Sequence, residues 1–312
     1  MIEKIDRFLI LHFRRILRMM DILHLPNKLL YNLYFSYILN RLRDILNCSL
    51  REYQKCRKET RVGRKQETVE KKQIWVMWWQ GIDRAPNIIK NNINNLINIF
   101  GNRVKIIDKN NYCLYTDISK EIISRFNDGN ISFTQWSDIV RYNLLKNHGG
   151  LWIDSSVIVS KKIRDINLFN QEFISLCSLN QDKRYISLSR WTGWLIGGKK
   201  NYELFCFLDC FFQLYYKKHT KTIDYFFADD AITFFYNHSP LFRKNVESQQ
   251  KEWDPYLFIR NFNTKNTEEL FCLFKTKQPY CIQKLTYKYN FAKLDSNSLA
   301  KKIEQGKYEG ES

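Results

Sequence analysis

The 312-residue chain is predicted to be an α/β protein, with a mainly parallel sheet carrying helices on both faces and a basic helical region ahead of it. Three features carry that expectation. Ile74-Trp75-Val76-Met77-Trp78-Trp79 is an unbroken apolar run closing at Gly81, as suits a strand buried on both faces. Strand-like and helix-like segments then alternate as far as residue 154. Gly149-Gly150 stops the last of those helices immediately before a second apolar run, Leu151-Trp152-Ile153. At 44% hydrophobic and 15% aromatic residues the chain has material for a large core, which excludes wholesale disorder.

Residues 1–60 read as helix. Leu29, Leu30, Leu33, Tyr37 and Ile38 recur at three-to-four spacing, and Pro26 divides the region in two with Asn27 available as a cap. Residues 51–72 are charge-rich and nearly free of aliphatic side chains, a solvated helix or a linker. The expected organisation is therefore a helical region over 1–72, the main domain over 73–290 and a polar tail over 291–312. Within the domain, Pro86 opens a helix to about residue 100 with Ile89, Ile93, Leu96 and Ile97 on one side, and residues 104–108 form a second short strand. A helix over 119–126 and another over 135–147 follow, the latter with Ser137 near its start as a cap. The strand at 151–153 then ends at Asp154. In parallel sheets, polar residues just past the strand ends line the ligand crevice, which places Gln80, Gly81, Asp108 and Asp154 there.

Fifty Lys and Arg against 32 Asp and Glu give +18, a charge that favours nucleic acid, anionic lipid or phosphorylated substrates. Residues 1–72 hold 17 of the basic and 8 of the acidic residues, half the excess in under a quarter of the chain. Such a block suits paired amphipathic helices docked on the anionic inner leaflet, where each near-surface Lys or Arg contributes roughly 1 kcal/mol. It equally suits a helical subdomain packed on the main domain. No helix-turn-helix, zinc-finger or aromatic-plus-basic RNA motif is present, so nucleic acid is not an expected partner. The apolar stretches at 8–13 and 29–40 fall short of the roughly 20 residues a bilayer requires, and neither precedes a small-residue cleavage site. The eight cysteines form no C-x-x-C and no Cys/His cluster at zinc spacing, which fits a reducing compartment. A cytoplasmic protein, peripheral at the inner face of the membrane, is expected.

Asp138 and Arg141 are three apart on a helix and share a face, a spacing that by itself also describes an ordinary surface ion pair. Their continuation through Lys146-Asn147-His148-Gly149-Gly150-Leu151-Trp152-Ile153-Asp154-Ser155-Ser156 changes the weighting, because a helix, a tight glycine turn and a strand with a terminal carboxylate can bring Asp138, Arg141 and Asp154 to one crevice. Residues 193–200 nearly match a P-loop, but Lys200 stands where a Ser or Thr hydroxyl must reach Mg²⁺.

Trp79-Gln80-Gly81, Ser137-Asp138 to Arg141, and Gly149-Gly150-Leu151-Trp152-Ile153-Asp154 together resemble the signature of the capsular polysaccharide synthesis glycosyltransferases. These belong to the wider DxD sugar-transferase group that includes yeast-type initiating mannosyltransferases and glucosylating clostridial toxins. Lys284-Leu285-Thr286-Tyr287-Lys288 resembles a segment near the end of the capsular group's domain, so the likeness covers about residues 73–290. It implies a GT-A fold, a nucleotide-sugar donor with UDP-sugars favoured, Mn²⁺ or Mg²⁺, retention at the anomeric carbon, and a bacterial surface glycan acceptor, lipid-linked.

Carried over by position, Trp79 would stack on the donor base beside Gln80 and Gly81. Asp138 and Arg141 would contact the donor sugar or ribose and orient the leaving diphosphate, with Gly150 in the adjoining turn. Asp154 would be the first DxD carboxylate, touching metal and nucleotide. Ser156 stands where the second carboxylate belongs and brings no charge to a metal. On the acceptor side the candidates are Trp191, Trp194, Asp229 and Asp230. Two other classes remain open: a catalytically silent GT-A-like scaffold, and a basic membrane-associated protein without a donor site.

Overall fold

The computed structural model describes residues 2–60, 73–166, 171–178 and 181–308. Two antiparallel-packed helices lead the chain, α1 (Ile2–Ile22) and α2 (Lys28–Thr60), separated at Pro26 as expected. Asn27 stands at the cap position, yet its Nδ2 turns back to Asp21 Oδ1 at 2.9 Å instead of its oxygen capping α2. Of residues 51–72, expected as a solvated helix or a linker, 51–60 continue α2 and 61–72 lie outside the described residues.

The domain proper begins with β1 (Ile74–Met77), α3 (Asn87–Phe100) and β2 (Val104–Ile107), then α4 (Lys120–Asn127), α5 (Phe133–His148) and β3 (Gly150–Ile153). β4 (Val157–Val159), β5 (Phe173–Ser175) and β6 (Leu195–Gly198) follow. Helices α6 (Glu203–Lys218), α7 (Phe227–His238), α8 (Pro240–Glu247), α9 (Leu257–Arg260) and α10 (Glu268–Thr276) lead to β7 (Ile282–Lys284) and α11 (Leu299–Glu304).

The expected α/β class holds. Five strands form one sheet in the order β2-β1-β3-β6-β5. β1 is parallel to β2 and β3, whereas β6 is antiparallel to both its neighbours, so four strands run one way and one is reversed. Period-two alternation sends side chains to two separate cores. Ile74, Val76, Leu151, Ile153, Ile174 and Leu195 pack with α3 and α9–α11, while Trp75, Trp152, Phe173 and Ile196 pack with α5–α7 and the N-terminal helices. That is why these strands read as continuous apolar runs: both faces are covered.

Local sequence explains most boundaries and corrects some expectations. α5 starts two residues early, because Ser132 and Gln135 form a reciprocal capping box, which leaves Ser137 inside the helix. On α3 it is Ile88, Ile89, Ile93, Leu96 and Ile99 that are buried, while Ile97 is exposed. The segment expected as a polar tail carries α11, whose Leu299, Ala300 and Ile303 bury against the α3 side of the sheet. Residues 195–198 of the near P-loop are the reversed strand β6, and a Cβ on Gly197 would strike the backbone of Gly150 on β3. The glycines there serve strand packing.

Helix α2 lies along α6 and α7. Arg57 pairs with Glu203 at 3.3 Å, and Tyr34 donates to Asp224 at 2.9 Å. From α1, Arg14 reaches the same Asp224 at 3.3 Å. The N-terminal helices thus complete the core on that face of the sheet.

Candidate functional site

The turn joining α5 to β3 sets the site. Gly149 and Gly150 have φ of 66° and 97°, which only glycine adopts without strain, and a Cβ on either would meet neighbouring backbone. Trp75 on β1 donates its indole N–H to Gly149 O at 2.8 Å, locking the turn against the next strand. Beyond β3, the Asp154-Ser155-Ser156 bend is held by Val157 N–H on Asp154 O at 2.9 Å and by the buried Asn92 side chain of α3 on Ser155 O at 3.0 Å.

These constraints converge on one corner at the carboxyl end of the parallel strands. Arg141 on α5 donates Nη1 to Asp138 at 2.5 Å and Nη2 to Asp154 Oδ1 at 3.2 Å. Trp152 Nε1 donates to the same Asp154 oxygen at 2.8 Å, and its ring lies 4.9 Å from the guanidinium carbon. The other oxygen, Asp154 Oδ2, accepts from Lys284 Nζ at 2.7 Å, and that ammonium also reaches Ser156 Oγ at 2.8 Å. Lys284 arrives there because β7 pairs with β4, placing it opposite Val157, while Leu285 N–H donates to Ser156 O at 2.8 Å.

Electrostatics follow from this packing. Burial favours the neutral acid at Asp154, but Lys284 and Arg141 outweigh it and hold the carboxyl below its usual range. Burial also disfavours the charged Arg141, and Asp138 and Asp154 more than compensate, keeping it firmly cationic. Asp138 is shifted upward, by burial first and by Asp154 as well, against the pull of Arg141. About a quarter of the Asp154 side chain and a fifth of Lys284 remain exposed, so the corner opens to a ligand.

Of the expected site residues, Asp138, Arg141, Asp154 and Ser156 form this single hydrogen-bonded set with Gly150 behind it. Trp194 lies on its rim, with its ring 5.7 Å from Lys284 Nζ and its carbonyl accepting from Asp154 N–H at 2.9 Å. Trp79-Gln80-Gly81 leaves β1 at the same carboxyl end of the sheet. There the Trp79 ring, partly exposed, meets Tyr112 and Phe126 at 5.2 Å and Trp136 at 5.6 Å. Asp108, in contrast, accepts from the N–H groups of Asn110 and Asn111, so its carboxylate closes a turn.

The acceptor-side candidates separate. Trp191 is 2% exposed and offers no free ring face; it donates Nε1 to Asp229 at 2.8 Å. Burial raises Asp229 to about 6; the Trp191 bond opposes the rise and Asp138 reinforces it. Asp230 has no exposure, its oxygens have no hydrogen-bond partner among the described residues, and it faces Asp224 toward the N-terminal helices. It is a buried acid behind the wall, held protonated by desolvation and the neighbouring carboxylates.

Lys284 is the site residue that sequence reasoning left without a role. Its only signal was the 284–288 segment, which also sends Tyr287 edge-on to Trp78 at the exit of β1, 5.3 Å between centroids.

The expected divalent cation does not fit these residues. Both Asp154 oxygens and the Ser156 hydroxyl are engaged by protein cations and by Trp152. Among the described residues no group of three His, Cys, Asp or Glu is arranged to hold a metal.

A family profile described as capsular polysaccharide synthesis protein matches residues 31–303, from within α2 into α11, and the chain belongs to that family. No curated protein and no solved structure matches it. Membership points to a role in capsule biosynthesis.

Proposed function

We propose that this member of the capsular polysaccharide synthesis family is a GT-A-type glycosyltransferase, moving a sugar from a nucleoside-diphosphate donor to a surface glycan acceptor. The observation that carries the reading is the corner itself. Two cations, Arg141 and Lys284, are oriented by one carboxylate, Asp154, at the carboxyl end of a parallel sheet. A departing nucleoside diphosphate concentrates negative charge, and preorganised cations stabilise that charge as it develops.

In the step, the bond from the anomeric carbon to the diphosphate oxygen breaks and its electron pair leaves with the diphosphate. The acceptor hydroxyl oxygen forms the new bond to the same carbon, and its proton passes to the departing phosphate oxygen. Attack from the leaving-group face retains configuration and needs no protein nucleophile. Trp79, partly exposed at the exit of β1, is the stacking surface for the base, and a UDP-sugar is the favoured donor. Asp229, fixed by Trp191, is the carboxylate placed to orient an acceptor hydroxyl.

The N-terminal helices support a lipid-linked acceptor at an anionic membrane. Eleven of the twenty exposed large hydrophobic residues among the described ones fall between Ile5 and Leu33. On α1, Ile10 and Leu17 face inward. Ile5, Phe8, Leu9, Ile16 and Met19 form an outward stripe, with exposed Arg15 and Arg18 along its edge. No helix among the described residues is long and apolar enough to cross a membrane, so the stripe is suited to lie in the interface.

Thermal-shift screening of the full chain against UDP-, GDP- and CMP-sugars tests the donor assignment, because a ligand that binds only the folded state raises its stability. Stabilisation by one nucleoside-diphosphate sugar is the expected result. A flat response across the panel contradicts the reading.

A further inference from the structure

We infer that Lys284 occupies the place of the divalent cation, so that this chain binds its donor's diphosphate with an ammonium and a guanidinium and without a metal. The inference rests on the transferase reading and specifies how its donor is held.

The argument starts from two oxygens. Asp154 Oδ2 and Ser156 Oγ are the atoms that a DxD-like metal site would offer, and Lys284 Nζ lies 2.7 and 2.8 Å from them. A hard divalent cation requires about six oxygen ligands at 2.0–2.6 Å. An ion bound to these two atoms would fall within about 4 Å of the ammonium, where two positive charges repel strongly even when partly solvated. The remaining Asp154 oxygen already accepts from Trp152 and Arg141.

The lysine is also built into the site. Its backbone is fixed by the β4–β7 pairing and by its N–H on Pro255 O at 2.8 Å. Its Nζ lies 5.7 Å from the Trp194 ring, a second stabilising partner for a cation. Replacing the second carboxylate by Ser156 is then coherent: one negative charge balances one fixed ammonium, and a hydroxyl fills the other bond. Lys284 and Arg141 approach Asp154 on different oxygens, so one carboxylate carries two cations of the kind that bind phosphate oxygens.

Calorimetric titration of the full chain with UDP and with GDP, in EDTA and in excess Mn²⁺, tests this. One of the two is expected to bind with affinities within about threefold under both conditions. Lys284→Met is expected to lower that affinity in EDTA by 10- to 100-fold, and Lys284→Arg to keep most of it. A second readout is independent of the nucleotide. By electron paramagnetic resonance the wild-type chain is expected to leave the free Mn²⁺ signal unchanged. Combining Ser156→Asp with Lys284→Ala, which supplies two carboxylates and removes the ammonium, is expected to capture the ion. Binding of UDP or GDP that is lost in EDTA, or Mn²⁺ held by the wild-type chain, overturns the inference and leaves the transferase reading standing. Failure of both nucleotides to bind under either condition overturns both.

Discussion

Arg141 spans from Asp138, on its own helix, to Asp154 at the exit of the adjoining strand, so one guanidinium ties α5 to β3. The side chain is 7% exposed. Its removal therefore strips Asp138 of its cation in a poorly solvated corner, while Asp154 keeps Lys284, and breaking a buried pair in this way costs about 3–5 kcal/mol. Arg141→Ala is expected to lose stability on that scale in urea denaturation, as well as activity. Arg141→Lys, which keeps the charge but cannot fork to both acids, is expected to lose less stability and most of the activity.

Asp229 supplies a pH test. Its carboxyl is raised from 3.8 to about 6, by burial first, so the folded chain holds that proton more tightly than the unfolded chain does. The stabilisation from the protonated form is complete below about pH 4 and is lost as pH rises through 6. Relative to wild type, Asp229→Asn is expected to gain stability across that window, on the order of 3 kcal/mol, and to hold the gain above it. Chemical denaturation of both proteins from pH 4 to pH 8 measures the difference, and a gap independent of pH contradicts the assigned environment.

Asp230 behaves differently from its neighbour. A fully buried acid with no hydrogen-bond partner among the described residues carries a desolvation penalty of about 1–3 kcal/mol. Asp230→Val, apolar and only about one methylene larger, is expected to raise stability at neutral pH while leaving transfer intact. Loss of transfer at unchanged stability would return Asp230 to the site.

The outward stripe of α1 is expected to bind vesicles containing anionic phospholipid, more weakly at high salt, since the basic edge is screened. Substituting Phe8 and Met19 by Asp is expected to abolish co-sedimentation with those vesicles at an unchanged melting temperature, both side chains being more than half exposed. Equal sedimentation of variant and wild type contradicts the docking surface.

What was legible in the sequence was what local order encodes. Residues 149–154 announce a turn, a doubly buried strand and a terminal carboxylate within six positions, and the site is built on that segment. Asp138 and Arg141 were legible for the same reason, being three apart on one helix. Lys284 was not, since it lies 130 positions from Asp154 and reaches it only through the pairing of two three-residue strands. The reversal of β6 is likewise a matter of how the chain returns after Asp154, and no short pattern in residues 195–198 specifies direction. Trp191 and Trp194 look alike in sequence, yet one is buried against α7 and α8 and the other lies beside Lys284 on the rim. Burial of that kind is decided by packing at long range.

The most direct test of the donor corner compares wild type with Asp154→Asn, which keeps the size of the side chain and removes the charge that orients Arg141 and Lys284. Nucleoside diphosphate release is followed with the stabilising nucleotide sugar and an anionic membrane acceptor fraction. The expected result is a fall of about a hundredfold or more in turnover, on the scale of losing a transition-state electrostatic group, with the variant still folded. Turnover by Asp154→Asn equal to wild type would contradict the assignment of this corner as the site of transfer.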